Sequence, residues 1–333
     1  MTFMSEESLA KKTLAILSQK SEKAHVIMRQ KILEEKIGLK KPDKAIEQYL
    51  SKWNDTIRPG TLAIACEAVG GKLGDIVPLQ VALSFIDVTM DIHDDIIDNS
   101  ISKKNAKTIY GKLGNESTLL LGDAFMVKGF CNLHGSIENL PKDQQMLIIE
   151  EVNNFLTEVV YAHISEAQLK SRKWSVTPEA YLQILNGKAA DIEGRMKIGA
   201  IYGGGSKKEI DALGEYGRRL GLLLTIRAEY IDIFEPSELS NRIKHECLPL
   251  QILYALQKSE YKNEIHSLLS KETIEKKDTY KLLELIQETK TLSSLNTFLK
   301  NLAKEAMLDL SKLDNNKEKS SLELFVSSML EDL

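Results

Sequence analysis

Cysteine, proline and glycine are all scarce in this chain of 333 residues. The three cysteines, Cys66, Cys131 and Cys247, stand singly. That spacing excludes a disulfide framework and the paired Cys/His pattern of a zinc site. Seven prolines and 19 glycines leave no Pro/Ser-rich linker to divide the chain and few turn signals between strands. Charge of one sign is missing too: 44 basic residues against 48 acidic ones give a net charge of −4, without the basic footprint of a nucleic-acid binder. No uninterrupted apolar run approaches the roughly 20 residues of a membrane span. The opening MTFMSEESLAKK lacks the apolar stretch of a signal peptide. These absences predict a soluble, cytoplasmic protein.

What is present is helical period, rich in Leu, Ile, Lys and Glu. ESLAKKTLAILSQKSEKAHVIMRQKILEEKIG scans as one or two amphipathic helices ending near Gly38. TIRPG at 56–60 breaks the chain before TLAIACEAVGG, and DIVPLQVALSFIDVTMDIHDDIID reads as a long, largely buried helix. Residues 117–135 and 143–169 give two more. A helix capped by Thr177 runs towards the glycines at 203–205, and another ends at Pro236. The last seventy or so residues read as peripheral helices. No stretch alternates with period 2, and one all-α domain over 1–333 is the simplest organisation.

Residues 87–98, DVTMDIHDDIID, carry the chemistry. At about 100° per residue, Asp87, Asp91, Asp94 and Asp98 share one narrow arc with Asp95 at its edge, while Val88, Thr89, Ile92, Ile96 and Ile97 take the other side. Two carboxylates ~6 Å apart repel by roughly 3 kcal/mol at an effective dielectric near 20. A cluster must therefore be protonated, solvated or neutralised by cations. The plainest alternative is a solvated helix face. The apolar remainder of the helix argues instead for an interior position, with the carboxylates in a wet cavity. An oxygen-only set without His or Cys suits Mg²⁺, which keeps several waters and takes further ligands from substrate phosphates. His93 is either an orienting neighbour or a core histidine. A lone ExxH at Glu22 and His25 is too little for a di-iron bundle.

HDDIIDNSISKK at 93–104 resembles the first aspartate-rich motif of the trans-isoprenyl diphosphate (polyprenyl) synthases. Asp94, Asp95 and Asp98 supply DDxxD, and Lys103 and Lys104 stand where the family usually has two arginines. The likeness extends to IRP at 57–59, LLLGDAFM at 119–126, GKAA at 187–190 and GLLLTIRAEYID at 221–232. The resemblance implies an all-α bundle around a deep central cavity and a condensation of an allylic diphosphate with isopentenyl diphosphate. It also implies more than one Mg²⁺, held by Asp94, Asp95 and Asp98 and by what remains of the second motif, Glu229 and Asp232. Arg58, Lys103, Lys104 and Lys188 would bind substrate diphosphates, with Asp94, Asp95, Asp98 and Lys188 as the catalytic set.

The chain departs from the pattern in several places. Asp55 and Thr56 replace a Lys-Arg pair, Ala189 replaces a threonine, and Ala228 takes the first position of a second DDxxD. Glu246 and Lys244 are candidate extensions of the second motif. Asp87 and Asp91 are surplus; they either compensate for the thin second motif or face a polar ligand. The chain-length positions are Thr89 and Met90, and the small Thr89 predicts a product of twenty carbons or more. A homodimer is the expected assembly, with a heteromer as the alternative. The departures leave two other readings: a weakly catalytic subunit of a heteromeric synthase, and a terpene cyclase-like enzyme.

Overall fold

The computed structural model describes residues 8–34, 37–103 and 106–331. The described chain is almost entirely helical, as the periodicity predicts. In order, α1 is Leu9–Glu34, α2 Lys40–Leu50, α3 Ile57–Ala68 and α4 Leu73–Ile97; the strands β1 Ser102–Lys103 and β2 Ala106–Lys107 follow; then α5 Ile109–Leu113, α6 Asn115–Ile137 and α7 Lys142–Leu169. After a 3₁₀ turn at Lys170–Ser175 come α8 Pro178–Lys188, α9 Ala190–Tyr202, α10 Lys207–Asp232 and α11 Pro236–His245. The chain closes with α12 Leu250–Leu256, α13 Ser259–Leu269, α14 Lys276–Glu288, α15 Thr291–Leu310 and α16 Lys317–Met329. Its contacts group into two compact units. Unit 1 is Met1–Glu151, Arg195–Ile210 and Asn316–Ser321; unit 2 is Val152–Gly194, Asp211–Asn315 and Leu322–Leu333.

Unit 1 is built around α4. Ile76, Leu79, Leu83, Ile86, Val88 and Ile92 are all out of solvent, each worth roughly 1.5–3 kcal/mol of burial. By length and mean hydropathy α4 could cross a membrane, unlike the expectation from uninterrupted apolar runs, but 72% of that window is buried inside the protein. It is a core helix. α6 packs along it closely because glycine permits the approach. A Cβ on Gly129 would meet Ile86 Cγ1 at 2.7 Å, and one on Gly122 would run into the His93 ring. Gly129→Ala would therefore force the aspartate helix away from its neighbour.

The end of α4 is set by Asn99, whose φ of 50° is a left-handed conformation that Asn tolerates. Asp98 becomes the C-cap residue. The chain then enters a two-residue hairpin pairing Ser102 with Lys107 and Lys103 with Ala106. Its strands are too short to leave the period-2 signal that was absent from the sequence. Thr108 closes this corner: its hydroxyl donates to the Ser100 carbonyl at 2.7 Å and accepts from Gly111 N–H at 2.9 Å.

Two other local expectations change. TIRPG is not a break, because α3 begins at Ile57 and Pro59 falls in its first turn, where backbone N–H groups have no helical acceptor anyway. Asp55 completes that start, accepting from Ile57 N–H at 2.9 Å and Arg58 N–H at 3.3 Å. The helix capped by Thr177, which accepts from Ala180 N–H, stops at Lys188 rather than running to the glycines. A second helix restarts at Ala190. In unit 2, Ala189 lies against α10 where only glycine fits, since a Cβ on Gly221 would sit 2.9 Å from the Ala189 carbonyl.

Candidate functional site

The aspartate face of α4 is not uniform. Asp87 is fully buried and is gripped by Arg195 on α9, with Nη2 2.5 Å from Oδ1 and Nη1 3.3 Å from Oδ2. Arg195 is itself fully buried, so this is a bidentate pair in a low-dielectric interior. One turn on, Asp91 accepts from Trp53 Nε1 at 2.8 Å and from Arg58 Nη1 at 3.3 Å. Both surplus aspartates are thus neutralised by the fold itself.

Arg58 closes the same chain of charges. Its Nη1 also lies 3.0 Å from Asp55 Oδ2, and its Nε lies 3.9 Å from Asp87 Oδ1. The aspartate that replaces the expected lysine therefore holds the arginine beside it.

Lys103, on β1, reaches back over the motif, 2.8 Å from Asp95 Oδ1 and 4.0 Å from Asp94 Oδ2. Burial pushes the Asp95 carboxyl up, with Lys103 pulling the other way. Burial lowers Lys103, but Asp95, with Asp94 and Asp91 behind it, offsets this and holds the ammonium above its usual range. Asp94 and Asp98 remain partly exposed. His93 turns to α6, its Nε2 3.3 Å from the Leu119 carbonyl and 3.6 Å from Asp123. His25 packs edge-on against Trp53 in the core of unit 1.

A cleft of about 940 Å³ opens beside this face within unit 1. Asp91, Asp94, Asp95 and Lys103 line it, as do Lys52, Lys107 and Lys112. Among the described residues none of Lys52, Lys107 and Lys112 is paired with a carboxylate. Burial, and then the Lys52 ammonium, hold Lys112 below the usual lysine range. Tyr49 also lines the cleft, and its buried hydroxyl has no partner among the described residues. Burial and the nearby Asp91 and Asp95 charges keep that phenol protonated. One part of the cleft is therefore rich in carboxylate oxygen and another carries uncompensated positive charge.

Unit 2 holds the second candidate set. Glu229, on α10, is buried; its Oε1 accepts from the Tyr181 hydroxyl at 2.5 Å and lies 3.6 Å from Arg242 Nη1. Asp232 accepts from Arg242 Nε at 2.8 Å, and Glu246 lies 2.9 Å from Arg242 Nη1. Burial raises the Glu229 carboxyl despite Arg242. Lys188 sits 2.5 Å from Glu166. Among the described residues Lys244 reaches the Glu272 carbonyl alone, at 3.4 Å on the surface.

The expected residues thus divide by unit. Arg58, Asp94, Asp95, Asp98 and Lys103 come together in unit 1, and Lys188, Glu229 and Asp232 in unit 2; Lys104 lies outside the described residues. Arg58, Lys103 and Lys188, expected at substrate phosphates, each contact a carboxylate. Thr89 and Met90 are absent from the lining of the cleft. Thr89 is fully buried, its hydroxyl bonded to the Phe85 and Gly122 carbonyls at 3.1 and 3.0 Å. Sequence reasoning missed Arg195, Trp53, Arg242, Tyr181 and the three cleft lysines. None of these has a local pattern in the sequence.

Comparison with known proteins addresses the family and the fold. The family described as polyprenyl synthetase matches residues 40–322. A geranylgeranyl diphosphate synthase from Methanosarcina mazei is 27% identical over 216 residues, covering 64% of this chain and 66% of that protein, just under two thirds of its length. A short chain isoprenyl diphosphate synthase from Methanothermobacter thermautotrophicus is 28% identical over 226 residues, covering 66% of this chain and 68% of the relative. In fold, the chain is similar to a geranylgeranyl pyrophosphate synthetase from Pyrococcus horikoshii, with a TM-score of 0.85 at 20% identity over 97% of this chain and 99% of that one. The helical order, the intact DDxxD of α4 and a family match over most of the chain lead to one assignment: the chain belongs to the polyprenyl synthetase family, a family of prenyl-group transferases.

Proposed function

We propose that this chain is a Mg²⁺-dependent prenyltransferase that condenses an allylic diphosphate with isopentenyl diphosphate. The carrying observation is the unit 1 cleft, where Asp94 and Asp95 share a lining with Lys52, Lys107 and Lys112, the lysines that pair with no carboxylate among the described residues. Such a surface suits diphosphates, one approached through bound cations and one through ammonium groups directly.

The donor set fits magnesium. Asp94 and Asp98 are a helical turn apart, partly exposed and oxygen-only. Among the described residues no three His, Cys, Asp or Glu side chains converge as a ready metal cage. Mg²⁺ needs none, since it takes one or two carboxylates with waters and substrate phosphates. Asp94 and Asp98 would hold it, with Asp95 anchored by Lys103 behind them. When bound, the ion supplies positive charge to the departing diphosphate. The chain's own residues do the rest: Arg195 and Arg58 neutralise Asp87 and Asp91, so the negative field of α4 is concentrated on its last turn. Lys52, Lys107 and Lys112 receive the isopentenyl diphosphate, because Arg58 is already committed to Asp55 and Asp91.

A product of twenty carbons or more is supported by the similarity to the Methanosarcina mazei geranylgeranyl diphosphate synthase. A homodimer is supported by the apolar side chains that α6 leaves exposed in unit 1, including Leu120, Val127 and Phe130. The test is a product assay on the purified chain with Mg²⁺, isopentenyl diphosphate and dimethylallyl, geranyl, farnesyl or geranylgeranyl diphosphate, read by mass spectrometry. Elongated diphosphates that vanish on chelation are expected. A folded chain that binds diphosphate without turnover overturns the proposal in favour of a partner-dependent subunit. Hydrocarbon formed without isopentenyl diphosphate overturns it in favour of a cyclase.

A further inference from the structure

The second carboxylate set, in unit 2, is arranged differently from the first. Glu229 and Asp232 stand on one face of α10, the positions that the family resemblance marks for metal. Arg242 of α11 occupies the space at both: its Nε donates to Asp232 at 2.8 Å, and its Nη1 lies 2.9 Å from Glu246 and 3.6 Å from Glu229. The rest of Glu229 is also used, Oε1 by the Tyr181 hydroxyl and Oε2 by the Leu250 N–H at 3.5 Å.

A magnesium ion needs near-octahedral oxygens at about 2.0–2.1 Å and retains several waters. Both Glu229 oxygens and Asp232 Oδ2 instead face N–H and O–H donors, and Glu229 is only 2% exposed, which leaves no room for waters at that carboxylate. The guanidinium cannot yield by losing its proton. The residues present in unit 2 do not fit a metal ion.

We propose that Arg242 is a resident cation at the Glu229–Asp232 pair, taking the place of a divalent ion, so that the metal requirement of this chain falls on the carboxylates of unit 1 alone. Arg242 is a positioning residue: it fixes two carboxylates that would otherwise repel, and it keeps a positive charge at α10 whether or not metal is available. The inference rests on the reading of the chain as a metal-dependent diphosphate enzyme, and its test separates the two.

The experiment counts Mn²⁺ ions bound by the full chain with inorganic pyrophosphate, from the spin-resonance signal of free Mn²⁺, with circular dichroism to verify folding. Asp232→Asn should keep the wild-type count, and Arg242→Lys should keep it too. Arg242→Gln, with the resident charge removed, should gain one ion. Loss of an ion in Asp232→Asn overturns the proposal, as does a folded Arg242→Gln with an unchanged count. If Arg242→Gln fails to fold, Asp232→Asn decides alone. Asp94→Asn tests the other reading: retention of every ion there overturns the metal role of unit 1, while the role of Arg242 still stands or falls on the unit 2 variants.

Discussion

Lys188 places its ammonium 2.5 Å from the Glu166 carboxylate inside unit 2. Burial alone would raise that carboxyl, yet Lys188, assisted by His163 and Arg242, brings it below its ordinary value of 4.5. A carboxylate with a depressed folded pKa contributes stability that is present above the unfolded value and lost as pH falls through the folded one. Lys188→Met leaves burial to dominate, so the loss begins at higher pH. We expect the acid-unfolding midpoint, followed by circular dichroism, to move upward; an unmoved midpoint would mean that Lys188 does not hold Glu166.

Breaking the Asp87–Arg195 pair leaves one buried charge uncompensated, at a cost of about 3–5 kcal/mol. Asp87→Asn should lower unfolding stability in urea by that order, since the buried guanidinium cannot lose its proton, and Arg195→Met by less, since Asp87 can protonate and Arg58 Nε still lies 3.9 Å from it. Changing both positions to apolar residues should recover much of the loss. A double variant as unstable as the sum of the singles would show that the two residues are not coupled.

At the mouth of the motif, Asp94→Ala should abolish Mg²⁺-dependent diphosphate binding while leaving the fold intact, because Asp94 is partly exposed and lies at the edge of Lys103's reach. Calorimetry with and without Mg²⁺ checks this. Full binding in the variant would remove Asp94 from the metal site.

The cleft lysines predict a substrate-selective defect. A hydrogen bond to a charged group is worth about 1.5–3 kcal/mol, so Lys112→Ala should raise KM for isopentenyl diphosphate by roughly ten- to a hundredfold and leave KM for the allylic substrate nearly unchanged. Lys52→Ala should do less, since Lys52 is more exposed. Equal effects on both substrates would deny the lysines a selective role.

Thr89 is pressed against the α6 backbone, so Thr89→Phe should cost about 1–3 kcal/mol of stability through overpacking, measured by thermal unfolding. A variant with undiminished stability and a shorter product would instead put Thr89 on the wall of the chain-length tube.

Much of this protein was legible in its sequence. The helices announce themselves by period, and DDxxD by the conflict between clustered charge and apolar spacers on one helix. The partners of those charges were not legible. Arg195 lies 108 residues from Asp87, and nothing local distinguishes a guanidinium that will be buried from one that will be solvated. Arg242 reads as an ordinary basic residue in NRIKHE until α10 and α11 fold together. Lys52, Lys107 and Lys112 sit in a loop, a two-residue strand and a short helix, and their meaning comes only from their shared cleft. The surplus of Asp87 and Asp91 was visible, but its resolution, internal neutralisation, required three dimensions.

The buried Asp87–Arg195 clamp also has a consequence for inheritance. Either residue alone is a liability, while the pair together, or its replacement by two apolar residues, is tolerable. Positions 87 and 195 should therefore vary as one unit among relatives of this chain. Those with a neutral residue at the first should lack the arginine at the second, however similar their DDxxD remains.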